Sequence, residues 1–148
     1  VIKASKCFII LMHMQGNPQT MQKNPKYNYV PNDIYFFFKK QIKKCEKNHI
    51  KKNRIILDPG IGFGKTSKHN IQILQNLKKF HKLGCNILIG VSRKRFISDL
   101  SKKEEPINRI PGTIAANLYA LEQGVDIIRV HDVKEALQAK LVWQALQK

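Results

Sequence analysis

An α/β fold, four parallel strands alternating with helices, is what this sequence predicts, and three observations predict it. Short β-type apolar runs recur four times, each followed by a longer segment with helical spacing. The connections between runs are too long for hairpins, so the strands are parallel and joined by right-handed crossovers. Four units in 148 residues take 37 each. A complete (β/α)8 barrel spends roughly 31 residues on each of its units, so this chain is half a barrel. The competing architecture, an open doubly wound sheet, would usually carry a Gly-rich turn after its first strand. Met14-Gln15-Gly16-Asn17-Pro18 stands there instead.

The elements follow in order. Residues 7–12, a continuous apolar run before the Gly16-Asn17-Pro18 loop, read as a strand buried on both faces. A helix begins near Pro31, with Ile34, Phe38, Ile42 and Cys45 on its apolar side and Lys39, Lys40, Lys43, Lys44 and Lys47 on the other. Residues 54–58 form the second strand, ended by Pro59-Gly60. Ser67 is expected to cap the next helix, whose stripe is Ile71, Leu74, Leu77 and Phe80 and whose stop is Gly84. Residues 86–91 are the third strand. A polar stretch over 92–108 leads to a helix opened by Thr113 and closed by Gly124. Residues 126–130 are the fourth strand, and Asp132 and Glu135 have capping-box spacing for a last helix through Leu137, Leu141 and Ala145.

Composition narrows the function classes. With 43% apolar and 25% charged residues the chain has the balance of one folded domain. No apolar run approaches the roughly 18 to 20 residues of a membrane span. The start at Val1 lacks both an initiator Met and the order of a secretory signal, and reads as a cut end. The net charge of +17 comes mostly from Lys, 22 of 27 basic residues, scattered and not interleaved with aromatics. Solvated helix faces explain it better than a nucleic-acid-binding stripe. Cys7, Cys45 and Cys85 are odd in number with no CxxC spacing, which argues against zinc or a disulfide framework and fits a reducing cytoplasm.

Polar residues interrupt the apolar runs where strands give way to loops: His13, then Asp58, then Ser92, Arg93 and Lys94, then Arg129, His131 and Asp132. In barrels and open sheets alike, that carboxyl edge is where ligands bind. The loop Asp58-Pro59-Gly60-Ile61-Gly62-Phe63-Gly64-Lys65-Thr66 ends like a Walker A loop, yet Pro59 occupies the position of its first Gly and has no N–H for phosphate. Its alternating glycines let backbone approach a flat ligand, with Phe63 for an aromatic contact and the Asp58 carboxylate facing ring N–H donors. Ser92, Arg93, Lys94 and Arg95 beside Arg129-x-His131 suit an anionic group, because residues two apart on a strand point the same way. No Ser/His/Asp triad spacing and no HExxH occurs, so hydrolase readings lack a basis.

Four motifs together resemble the dihydropteroate synthase family: residues 11–18 with Thr20-Met21-Gln22, residues 58–66, Gly90-Val91-Ser92-Arg93-Lys94, and Arg129-Val130-His131-Asp132-Val133. The resemblance implies the C-terminal half of a (β/α)8 TIM barrel, units five to eight. The reaction it implies joins 6-hydroxymethyl-7,8-dihydropterin diphosphate to p-aminobenzoate with Mg²⁺, in a cytoplasmic homodimer. It also implies roles. Asp58 would bind the aminopyrimidine edge of the pterin and Lys94 its polar edge, with Met12 and Arg129 on its faces. Gly62 and Phe63 would line the p-aminobenzoate side, Ser92 would lie near the carboxylate, and Gly90 would belong to the substrate pocket. Arg129 and His131 would hold the diphosphate, and Lys94, Arg129 and His131 would be the catalytic cations.

Units one to four, and with them the side chain expected to hold Mg²⁺, are not among these residues, and no metal ligand is named here. Alone, the polypeptide is expected to be inactive and poorly folded, with unpaired strand edges. Two other readings are a decayed gene remnant and a basic nucleic-acid-binding module.

Overall fold

A computed structural model describes residues 4–147, so the expectation placed on Val1 lies outside the described residues. Four strands form one sheet in the order β1 (Ile9–Met12), β2 (Ile55–Asp58), β3 (Asn86–Ile89), β4 (Ile127–Ile128), every neighbouring pair parallel. Helices α1 (Val30–Lys47), α2 (Ser67–Gln75), α3 (Lys78–His81), α4 (Arg95–Leu100) and α5 (Ile110–Glu122) fill the crossovers, and α6 (Val133–Leu146) follows the last strand. Sequential strands are sheet neighbours throughout, the order expected of consecutive barrel units.

The core lies between the sheet and its helices. Ile34, Phe38 and Ile42 of α1 meet Ile55 and Leu57 of β2, Ile87 and Ile89 of β3, and Ile73, Leu77 and Phe80 from the second unit. Phe38 and Phe80 touch edge to face, their centroids 5.9 Å apart. Each such side chain contributes roughly 1.5–3 kcal/mol by leaving water. The predicted lysine face of α1 is solvent-exposed in full.

Several expectations are corrected. β1 is not buried on both faces: Ile9 and Leu11 pack on the core, whereas Phe8 is 62% and Ile10 56% exposed. It is one of the sheet's two outer strands, so its apolar run signalled a face that nothing among the described residues covers. The second helix is capped by Thr66, not Ser67: the Thr66 hydroxyl accepts from the His69 N–H at 3.2 Å, and His69 Nδ1 accepts from the Thr66 N–H. That segment also breaks in two, and Ile73 replaces the half-buried Ile71 as its innermost residue. The polar stretch conceals α4, anchored by buried Phe96 and Ile97. α5 begins at Ile110, three residues before Thr113, because Pro111 suits a first helical turn. Asp132 precedes α6 without a side-chain cap, its carboxylate being held by Arg93. Leu137 and Leu141 are exposed.

Candidate active site

Alternation along the strands sorts side chains into two faces. With Ile55, Leu57, Ile87 and Ile89 on the helices, the opposite face receives Met12 and Asp58, which are paired in register at the ends of β1 and β2. Asp58 is half-buried. Burial raises its pKa above the usual carboxylate value, while the Gly60 N–H, donating to Oδ1 at 2.8 Å, and the charges of Lys65, Lys94 and Arg129 oppose that rise. Three cations from three different loops therefore converge on one carboxylate.

The loop after β2 folds through left-handed backbone at Gly60, Gly62 and Gly64. At Gly60 a Cβ would lie 2.0 Å from the His13 carbonyl oxygen, and at Gly64 it would lie 2.6 Å from that of Gln15. Backbone thus packs directly on backbone, which only glycine permits. From α2, buried Asn70 accepts the Gly62 N–H at 2.9 Å, and Gln22 donates to the Gly62 carbonyl. Phe63 sits under the Lys94 ammonium, 4.3 Å from ring centroid to Nζ, a cation–π contact. Lys94 is half-buried, and burial together with Arg129 lowers its pKa while Asp58 raises it.

After β3 the chain turns through Arg93, whose φ of +57° is left-handed. Its N–H donates to the Thr113 hydroxyl at 3.0 Å, its carbonyl accepts from Arg109 at 3.0 Å, and its guanidinium grips Asp132 through both carboxylate oxygens. The pair holds Asp132 below the usual carboxylate range. Ser92 is buried, and its hydroxyl accepts the His131 N–H at 3.2 Å and lies 2.9 Å from Nδ1. The third and fourth loops are therefore tied together by two side-chain contacts.

The structure brings Met12, Asp58, Gly62, Phe63, Lys94 and Arg129 to one sheet edge, and couples Ser92 to His131. Gly90 lies beside Arg129, where a Cβ would be 4.0 Å from that residue's own. One geometric premise fails: β4 ends at Ile128, so Arg129 and His131 do not lie on a strand, although the Arg129 N–H still donates to Ile89 at 2.8 Å. Both side chains are exposed. Sequence reasoning missed the weight of Lys65, which is 3% exposed with its amine on three backbone carbonyls. A lysine between a glycine-rich loop and a helix cap was the available signal. Among the described residues, no three His, Cys, Asp or Glu side chains come together to hold a metal ion, and no helix is long and apolar enough to cross a membrane.

Comparison with known proteins agrees with this geometry. Over 137 residues the chain is 45% identical to the dihydropteroate synthase of Escherichia coli, covering 93% of this chain and 48% of that protein. The solved dihydropteroate synthase of Stenotrophomonas maltophilia, with imidazole bound in its active site, superposes with a TM-score of 0.91 at 37% identity, over 95% of this chain and 53% of that one. That of Xanthomonas albilineans in complex with 7,8-dihydropteroate gives 0.87 at 38% identity, over 95% and 50%. The chain thus spans about half the length of the relatives it matches, in keeping with four of eight barrel units. The family model described as pterin binding enzyme matches residues 1–131, nearly the whole chain, including the first three motifs and the fourth as far as His131, and the chain belongs to that family.

Proposed function

We propose that this chain supplies the C-terminal half of the active site in a transferase that condenses 6-hydroxymethyl-7,8-dihydropterin diphosphate with p-aminobenzoate. The observation that carries the reading is Asp58, a half-buried carboxylate facing three cations beside a glycine-lined loop. A carboxylate accepts paired N–H donors from an aminopyrimidine edge, and the surrounding cations balance an anionic substrate. The dihydropteroate held by the Xanthomonas enzyme supports the same chemistry.

Asp58 takes the pterin's amino edge, Lys94 its other polar edge, and Met12 and Arg129 its faces. Phe63 and Gly62 wall the arylamine side. Arg129 and His131 receive the diphosphate, with Ser92 orienting the imidazole. The carbon–oxygen bond to the diphosphate breaks, and pyrophosphate departs with the electron pair. The resulting methylene cation is stabilised by the pterin ring. The arylamine nitrogen then forms the carbon–nitrogen bond and releases a proton. The cations act by stabilising negative charge as it gathers on the leaving group. Mg²⁺ would neutralise charge on the diphosphate. Cytoplasmic residence accords with the free thiols of Cys7, Cys45 and Cys85. Homodimerisation would cover exposed Leu137, Leu141 and Val142 of α6.

The test uses the full-length protein that carries this chain, given both substrates and Mg²⁺. Stoichiometric dihydropteroate and pyrophosphate are expected. A folded full-length protein that binds no pterin and forms neither product would sink the reading.

A further inference from the structure

We propose that Lys65 is a positioning residue for the pterin end of the site: its ammonium straps the loop after β2, including the Gly60 peptide whose N–H donates to Asp58, to the end of β1. The inference rests on the proposed function for its ligand, but its geometry is independent of any ligand. Nζ lies 2.9 Å from the Gly60 carbonyl, 2.9 Å from that of Phe63, 3.2 Å from that of His13, and 3.0 Å from His13 Nδ1. Three of these four acceptors are carbonyls, which can only accept, so the group that satisfies them is a donor with no use for a lone pair. With the ammonium donating, the His13 ring proton sits on Nε2.

The strap joins segments that no side chain on the glycines could join. Gly60 and Gly64 press bare backbone against His13 and Gln15, and the amine fills the space beneath. The groups facing Lys65 are Asp58 from β2, His13 just after β1, His69 from α2 and Lys94 from the loop after β3. Burial pushes Lys65 down to about 7, Lys94 adds to that, and Asp58 opposes it. The carbonyl fan favours the charged form as well. Burial likewise pushes His13 down to about 4, which leaves its ring neutral beside the ammonium. Asp58 and Lys65 thus each favour the other's charged form against the burial of both.

The experiment compares the full-length protein with Lys65→Met, which keeps the volume and removes every donor, and Lys65→Gln, which keeps two donors without charge. Carboxyl carbon NMR follows Asp58, and hydrogen exchange follows residues 60–64. In Lys65→Met, Asp58 should titrate at higher pH, those amides should lose protection, and 6-hydroxymethylpterin should bind roughly tenfold or more weakly at pH 7. Lys65→Gln should retain protection yet show the same Asp58 shift, and it carries the test if the Met variant fails to fold. An unmoved Asp58 in either variant, or unchanged protection of residues 60–64 in Lys65→Met, overturns the strap. Absence of pterin binding by the unsubstituted protein overturns the proposed function instead, and the Asp58 shift still decides the strap.

Discussion

Replacing Asp58 by Asn in the full-length protein separates recognition from folding. The amide keeps an oxygen for the Gly60 N–H, which Asp58 accepts at 2.8 Å, so the turn after β2 survives. What disappears is the charge. A carboxylate accepts two N–H bonds from an aminopyrimidine edge, whereas an amide accepts one and sets its own NH₂ against the second donor. Hydrogen bonds to a charged group contribute about 1.5–3 kcal/mol each, so losing one and opposing a donor weakens pterin binding by about 2–4 kcal/mol, roughly 30- to 900-fold in Kd.

Stability moves the other way. Burial raises the Asp58 pKa in the folded protein, so between the unfolded and folded values the native state binds the extra proton, and stability falls as pH rises through that window. At neutral pH the variant is therefore expected to melt no lower than the parent. Calorimetric titration with 6-hydroxymethylpterin, beside thermal melts at pH 7, measures both. Pterin affinity within about threefold of the parent in a folded variant, a difference below 1 kcal/mol, would refute the role given to Asp58.

Three further outcomes are expected of the full-length protein. His13, buried and depressed to about 4 from 6.5, is protonated first in the unfolded chain, so stability is lost as pH falls from 6.5 toward 4, by about 3 kcal/mol. His13→Gln should flatten the melting curve over that range, and an unchanged slope would place the effect elsewhere. Gly84, left-handed with only Lys52 Cδ at 3.8 Å, should lose about 1–2 kcal/mol on substitution by Ala. Gly60→Ala, which drives a methyl into the His13 carbonyl, should lose roughly twice that or more in denaturant titrations, since backbone must move; equal losses would contradict the close packing. Asp132, held low by Arg93, stabilises above its unfolded value of 3.8 and ceases to do so as pH falls through its folded value. Melts of Asp132→Asn and parent should therefore differ at pH 7 and converge in acid, and parallel curves would dismiss the ion pair.

The sheet and its functional edge were legible because strand runs and terminal polar residues are local features of sequence. Asp58 before Pro59-Gly60 and Arg129 before His131 could be placed at strand ends without knowing what they face. What escaped is set by tertiary partners. Thr66 and Ser67 are equal as caps in sequence, and the His69 ring decides for Thr66. Asp132 has capping-box spacing, yet a guanidinium from another unit takes its carboxylate. Phe96 and Ile97 are too few to give α4 a period. Lys65 looks like any other of the chain's many lysines until the fold closes three carbonyls around it.

The contact between the glycine loop and the end of β1 has a consequence for how such a site can diversify. Where main chain rests on main chain, no side chain is available to trim or enlarge, and any residue added at Gly60 or Gly64 displaces the neighbouring strand end. That wall can change its chemistry only by moving as a whole. Variation that tunes ligand preference is thereby channelled to Met12, Phe63 and Lys94, whose side chains project from the same frame and can be exchanged one at a time.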